Sequence, residues 1–131
     1  MMALRFVPID TLPGLAWCAC LEQGHDVVTL YHGPNVETHS RGFVEGAWNG
    51  DYEAFDLASA TVFCGTGGLR DGDRIRFFAG TDRLSPIFSV VKPGRVFVSN
   101  SPAFVMSLAE VVPDNIYPFY DYDFIPIWRA G

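Results

Sequence analysis

Three cysteines and three histidines are the side chains of this 131-residue chain best suited to act as nucleophiles, bases or metal ligands. Cys18-Ala19-Cys20 sets two thiols two residues apart, and on a strand that spacing points both to one face. Cys64 adds a third thiol, but Cys-x-Cys plus one distant cysteine falls short of a closed zinc site, which shows a full ligand set in recognisable spacing. The pattern reads instead as small buried strand residues. His25, His32 and His39 follow one another at intervals of seven, in segments that read as loops or loop edges. Acid–base or metal chemistry would require carboxylates or thiols converging on them. Asp26 and Glu37 are near only in sequence, so the three read as exposed loop histidines.

Other candidate patterns are equally incomplete. Gly65-Thr66-Gly67-Gly68 is glycine-rich and follows an apolar run. A phosphate loop would continue into a helix, with a Lys-Ser/Thr pair. Here Leu69-Arg70-Asp71-Gly72 follows, which is a turn, so the glycines read as a strand end or bulge. Asp82-Arg83 beside Ser85-Pro86 reads as a turn-stabilising pair. No serine occupies a Gly-x-Ser-x-Gly elbow. Asp71, Asp73, Asp121 and Asp123 read as solvated turn acids. No complete catalytic set emerges, and nothing calls for a metal or a cofactor.

The elements that must position these residues are strands. Glycine and proline punctuate the chain at short intervals, with runs rich in Val, Phe, Ile and Thr between them, the signature of strands and turns. Leu15 to Leu21 and Val27 to Tyr31 form an expected hairpin around Gln23-Gly24-His25-Asp26. The polar stretch from His32 to Arg41 reads as loop, and Gly42-Phe43-Val44-Glu45 as a short extended piece. Asn49-Gly50 signals a turn. Leu57 to Ala60 reads as a possible helical turn and Ala60 to Cys64 as a strand. Arg70-Asp71-Gly72-Asp73 is a strong turn before Arg74 to Phe78. Ile87 to Val91 and Arg95 to Ser99 flank Lys92-Pro93-Gly94. Proline presets the first turn position there and glycine supplies positive φ at the next, so a hairpin is predicted. Asn100 or Ser101 can cap a helix from Pro102 to Glu110 that buries Phe104, Val105 and Leu108.

Length and composition bound the rest. A chain of this size is one ordinary domain and hides roughly two-thirds of its unfolded surface. Its aromatic and apolar content argues against disorder. The net charge is −6 and the few cations are scattered, which argues against nucleic acid. No apolar run approaches the roughly 20 residues of a membrane helix, and Met1 to Pro8 lacks the basic head and long apolar stretch of a signal peptide. The expected location is the cytoplasm, where an odd number of reduced cysteines is at home. The segment 113–131 carries Tyr117, Phe119, Tyr120, Tyr122, Phe124 and Trp128 between prolines. It reads as an aromatic tail or interdomain connection after a domain of residues 1–112. Its aromatics must pack on this domain or on a partner surface.

From Gly80 to Met106 the sequence resembles a known family. Gly80-Thr81-Asp82-Arg83-Leu84-Ser85-Pro86-Ile87-Phe88, a hairpin, then Val96-Phe97-Val98-Ser99-Asn100-Ser101 and a short helix resemble the end of the N-terminal domain of asparagine synthetases. That family carries Arg-Asp-Arg-x-Gly-x-x-Pro-Leu-Tyr-Tyr, a hairpin, and Phe-Ala-Ser-Glu leading into a helix. Asp82, Arg83, Pro86, Phe88 and Ser99 hold comparable places. Ser85 replaces the family glycine and Asn100 its glutamate. Val44 to Tyr52 and Phe63 to Gly68 look like a divergent branch of the same family, so the resemblance spans Phe43 to Leu108.

The resemblance implies an α+β fold of stacked, mainly antiparallel β-sheets of the N-terminal-nucleophile type, with one or two short helices. It also implies a glutamine amidotransferase domain whose N-terminal cysteine, exposed by removal of the initiator Met, hydrolyses glutamine and passes ammonia to an ATP-using synthetase domain. Here the start is Met1-Met2-Ala3. The chemistry uses the nucleophile's own α-amino group as base, so an internal Cys18 or Cys20 cannot substitute. The family's Ser-Gly-Gly-x-Asp-Ser ATP loop is missing too, and the chain is too short for that domain, as expected of a fragment or truncated relative. The expectation is a non-catalytic amidotransferase-like domain that scaffolds a synthetase-like domain, another protein or a second copy. The alternatives are a small-molecule binding or regulatory module and a thiol amidohydrolase using Cys18, Cys20 or Cys64.

Overall fold

A computed structural model describes residues 2–51, 53–57, 59–80 and 85–111. The expected boundary at residue 112 and the aromatic tail lie outside the described residues, as do Asp82 and Arg83. The fold is α+β and mainly antiparallel β. Among the described residues, nine strands form two sheets: β1 (Ala3–Pro8), β2 (Trp17–Glu22), β3 (Val27–His32), β4 (Glu37–His39), β5 (Gly42–Trp48), β6 (Phe63–Asp71), β7 (Arg74–Ala79), β8 (Phe88–Lys92) and β9 (Arg95–Ser99), followed by helix α1 (Pro102–Leu108). The first sheet has the order β1-β3-β2-β9-β8 and the second β4-β5-β6-β7.

Alternation along the strands builds four layers. Trp17, Ala19, Val28, Leu30 and Val98 of the first sheet meet Phe43 of the second in one buried cluster. The Trp17 ring lies 4.7 Å from Phe43 and stacks on Phe77 at 6.0 Å. The intervening residues point outward. Cys18, Phe88 and Phe97 pack against Val105 and Ala109 at the helix. Val44 and Phe63 pack beneath Phe55 of the loop between β5 and β6. That loop carries the Leu57 to Ala60 turn, closed by Ala60 N–H donating to the Leu57 carbonyl.

The local hairpins follow the sequence. Lys92 pairs with Arg95 across Pro93-Gly94, and Gly94 takes a φ of 74°, as the turn requires. Ser101 caps α1 by accepting from Phe104 N–H. The helix closes at Leu108, two residues before the predicted end, and Lys92 donates to the carbonyl of Ala109 beyond it.

Three expectations need correction. Gly65-Thr66-Gly67-Gly68 does not end a strand; it is the middle of β6, paired along its length with β5. Gly65 faces Gly46, and both take positive φ (121° and 130°). A Cβ on Gly65 would lie 2.0 Å from the Glu45 carbonyl oxygen. The glycines let the two backbones approach and leave room for the rings of Phe43 and Phe78. Glu37 to His39 is a short edge strand rather than loop, held by β5. Asn49-Gly50 makes a bend rather than a closed turn. It opens a longer loop that the Asn49 side chain closes by bonding Thr61 and Val62, so β6 begins only at Phe63. Ala3 to Pro8, where the sequence reading sets no element, forms β1, parallel to β3 from Ala3↔Val27 to Pro8↔His32. It buries Leu4 and Phe6 against the core between the sheets.

Candidate functional site

The structure sets Cys64 apart from the other two thiols. Cys18 and Cys20 share the outer face of the first sheet, as their spacing predicts, whereas Cys64 is exposed on β6 of the other sheet. Cys18 is fully buried. Burial pushes its thiol up to about 12, Cys20 adds to the rise, and the Ser99 hydroxyl beside it pulls the other way. Burial also raises Cys20, helped by Glu22 and opposed by Arg95. Neither is an activated thiolate at neutral pH, because such thiolates sit in electropositive, accessible surroundings.

The histidines do not serve them as bases. His25 is exposed in the turn after β2, with Nδ1 3.3 Å from Glu22 Oε2. His32 and His39 are not loop residues as expected. His32 ends β3, is buried, and donates from Nδ1 to the Gly33 carbonyl at 2.9 Å, its ring edge against Phe6. His39 lies in β4, stacks on Phe55 at 4.9 Å and accepts from Arg41 N–H. Among the described residues, no three of His, Cys, Asp and Glu gather as a metal site would need.

Of the residues carrying the family resemblance, Phe88 and Ser99 are brought together as a cross-strand pair. Pro86 lies half-buried just ahead of β8. Ser99 Oγ donates to the Trp17 carbonyl and accepts from Ser101 N–H at 2.9 Å. The residue after Ser99, Asn100, a candidate helix cap that stands where the family has a glutamate, spans far along the chain. Its Oδ1 accepts from Trp17 N–H at 2.9 Å and its Nδ2 donates to the Leu15 carbonyl at 2.8 Å. Ser99 and Asn100 together clamp the start of β2.

A second polar relay crosses between the sheets. Trp17 Nε1 donates to Thr66 Oγ1 at 2.9 Å, and Thr66 donates to Glu45 Oε1 at 2.7 Å. Thr66 is 1% exposed, so both of its bonds are made away from bulk water. No spacing in the sequence links Trp17 to Thr66; only the stacking of the sheets does.

No family model, curated protein or solved structure matches the chain.

Two hollows open on the outer faces of the sheets. A hollow of about 340 Å³ opens on the outer face of the second sheet, walled by Leu57, Phe63, Leu69, Arg76 and Phe78. Another, of about 460 Å³, opens on the outer face of the first sheet between Arg5, Cys20, His25 and Tyr31. Among the described residues, neither juxtaposes a nucleophile with a base in hydrogen-bond contact, the arrangement covalent catalysis requires. Among the described residues no helix is long and apolar enough to cross a membrane.

Proposed function

We propose that this chain is a non-catalytic amidotransferase-like domain of an asparagine-synthetase-like protein, serving as scaffold or partner for an ATP-dependent amide-forming domain. The observation that carries this reading is the use made of the resembling segment. Phe88 and Ser99 pack and clamp, and Asn100 ties β2 to the strand–helix junction. Two facing, mainly antiparallel sheets with a helix outside are compatible with the implied architecture. The raised values of Cys18 and Cys20, both driven by burial, support the loss of glutaminase chemistry. Free cysteines are in keeping with a cytoplasmic setting.

Two measurements test this. Glutamine incubated with the protein and followed by proton NMR is expected to yield no glutamate above a buffer control. Glutamate formation that Cys18→Ala, Cys20→Ala or Cys64→Ala abolishes would overturn the non-catalytic reading. Reading the coding sequence past codon 131 is expected to reach a Ser-Gly-Gly-x-Asp-Ser segment, in the same frame or in a neighbouring gene whose product co-purifies with this chain. A stop codon with no such gene nearby would remove the scaffold role.

The hollow beside Arg5 favours a second reading, a small-molecule binding module, whose ligand chemistry is argued next.

A further inference from the structure

The first sheet is covered unevenly on its outer face. Helix α1 packs on β9, β8 and β2, and a helix of seven residues is only about 10 Å long. β3 and β1 extend beyond it. Register aligns Arg5, Thr29 and Cys20 in one row across β1, β3 and β2. Tyr31 stands in the next row on one side, and Val27, 44% exposed, in the row on the other. The hollow these side chains border, about 460 Å³, falls within the volume range of small-molecule sites.

We propose that this hollow binds a small monocarboxylate with a short apolar or aromatic body. Arg5 carries the argument. It is exposed, and it forms no ion pair among the described residues, although the chain carries a net charge of −6. Its planar fork matches a carboxylate with two parallel hydrogen bonds. The Thr29 and Tyr31 hydroxyls line the same wall, and both can donate to an anion. Val27, the Cys20 side chain and the Tyr31 ring supply an apolar floor for the ligand body. Glu22, paired with His25, stands on the opposite rim. Its carboxylate repels a dianion more than a monoanion, so a monocarboxylate is favoured over a phosphate dianion. This site is independent of the scaffold role.

The test uses the full chain and three probes sharing one aromatic body: 3-phenylpropionate, phenethylamine and phenyl phosphate. Cys20 lies in the hollow and reports locally through its rate of alkylation by iodoacetamide, read by mass spectrometry. Exposed Cys64 is the internal reference. 3-Phenylpropionate is expected to slow Cys20 saturably and leave Cys64 unchanged, while phenethylamine has no effect and phenyl phosphate acts only at higher concentration. Arg5→Gln is expected to weaken the protection about tenfold or more, the usual loss when a charge-assisted hydrogen bond is removed, and Arg5→Lys less. Thr29→Val, at a half-buried position, gives a second variant expected to lose several-fold. Ligand-detected NMR on the same proteins gives a readout free of thiol chemistry. Absence of saturable binding by 3-phenylpropionate, equal protection by the amine or the phosphate, or undiminished binding by Arg5→Gln would each overturn the proposal.

Discussion

Ser99 and Trp17, 82 residues apart in the chain, are joined by the Ser99 hydroxyl donating to the Trp17 carbonyl in a fully buried environment. The Trp17 N–H is held in turn by Asn100. Both backbone groups of one core residue thus depend on two adjacent side chains at the far end of the domain. Ser99→Ala would strand a buried carbonyl and leave Ser101 N–H without its acceptor. The expected loss is about 1–3 kcal/mol, a fall of several degrees in Tm for a domain of this size. Thermal unfolding followed by Trp fluorescence would check it, and an unchanged Tm would show that water replaces the hydroxyl.

The relay from Trp17 through Thr66 to Glu45 makes a second prediction. Thr66→Val preserves shape but leaves Trp17 Nε1 without an acceptor and Glu45 without its buried donor. A loss of about 1–3 kcal/mol is expected, whereas Thr66→Ser, which keeps the hydroxyl, should cost less. Urea unfolding of the two variants separates the hydroxyl from packing. If Thr66→Val keeps full stability while Thr66→Ser loses it, the methyl group matters and the relay does not.

The glycines of β6 and of the β6–β7 turn should respond differently to alanine. At Gly65 the new Cβ would meet the Glu45 carbonyl oxygen at 2.0 Å, and φ is already 121°. Backbone on both strands would have to move, at a cost of about 3 kcal/mol or more. At Gly72, φ is 60° but nothing lies within 4 Å of the added carbon, so only the left-handed penalty of about 1–2 kcal/mol applies. Soluble yield and the urea midpoint should rank wild type above Gly72→Ala above Gly65→Ala. The reverse order between the variants would contradict the close pairing of β5 with β6.

What the sequence made legible was local. The Lys92-Pro93-Gly94 hairpin and the Ser101 cap each depend on residues within a few positions of one another, so their chemistry is visible in the string. The glycines of β6 read as a strand end because glycine carries no side chain to show alternation. What makes that stretch a strand is Phe43 and Phe78 filling the space from neighbouring strands. β1 escaped notice for a similar reason, since its parallel partner β3 begins 24 residues later, at Val27, opposite Ala3. His32 sits beside a turn signal in sequence, yet Phe6 of β1 covers it. The Arg5 hollow was not legible either, because Arg5, Thr29 and Cys20 become neighbours only through strand register. The Cys18–Cys20 face could be read, since two-residue spacing fixes it wherever a strand forms.

The thiols finally give a pH signature. Cys18 has an ordinary value of 9.0 when exposed and about 12 in the fold. Below pH 9 both states hold the proton and the group adds no pH dependence. Between about pH 9 and 12 the unfolded chain releases the proton while the folded protein keeps it, so the unfolded state binds fewer protons and stability falls as pH rises. The slope from this one group is roughly 1.4 kcal/mol per pH unit. Burial raises Cys20 as well, so it adds a decline of the same sign. Cys18→Ala should lower stability at pH 7 by leaving a small cavity, yet decline less steeply than wild type from pH 9 upward. Other groups titrating there are common to both proteins and cancel in the difference. Urea unfolding at intervals from pH 7 to 10.5 would measure the two slopes. Parallel curves would mean that the Cys18 thiolate is tolerated in the fold, and that the outer face of the first sheet admits water beneath α1.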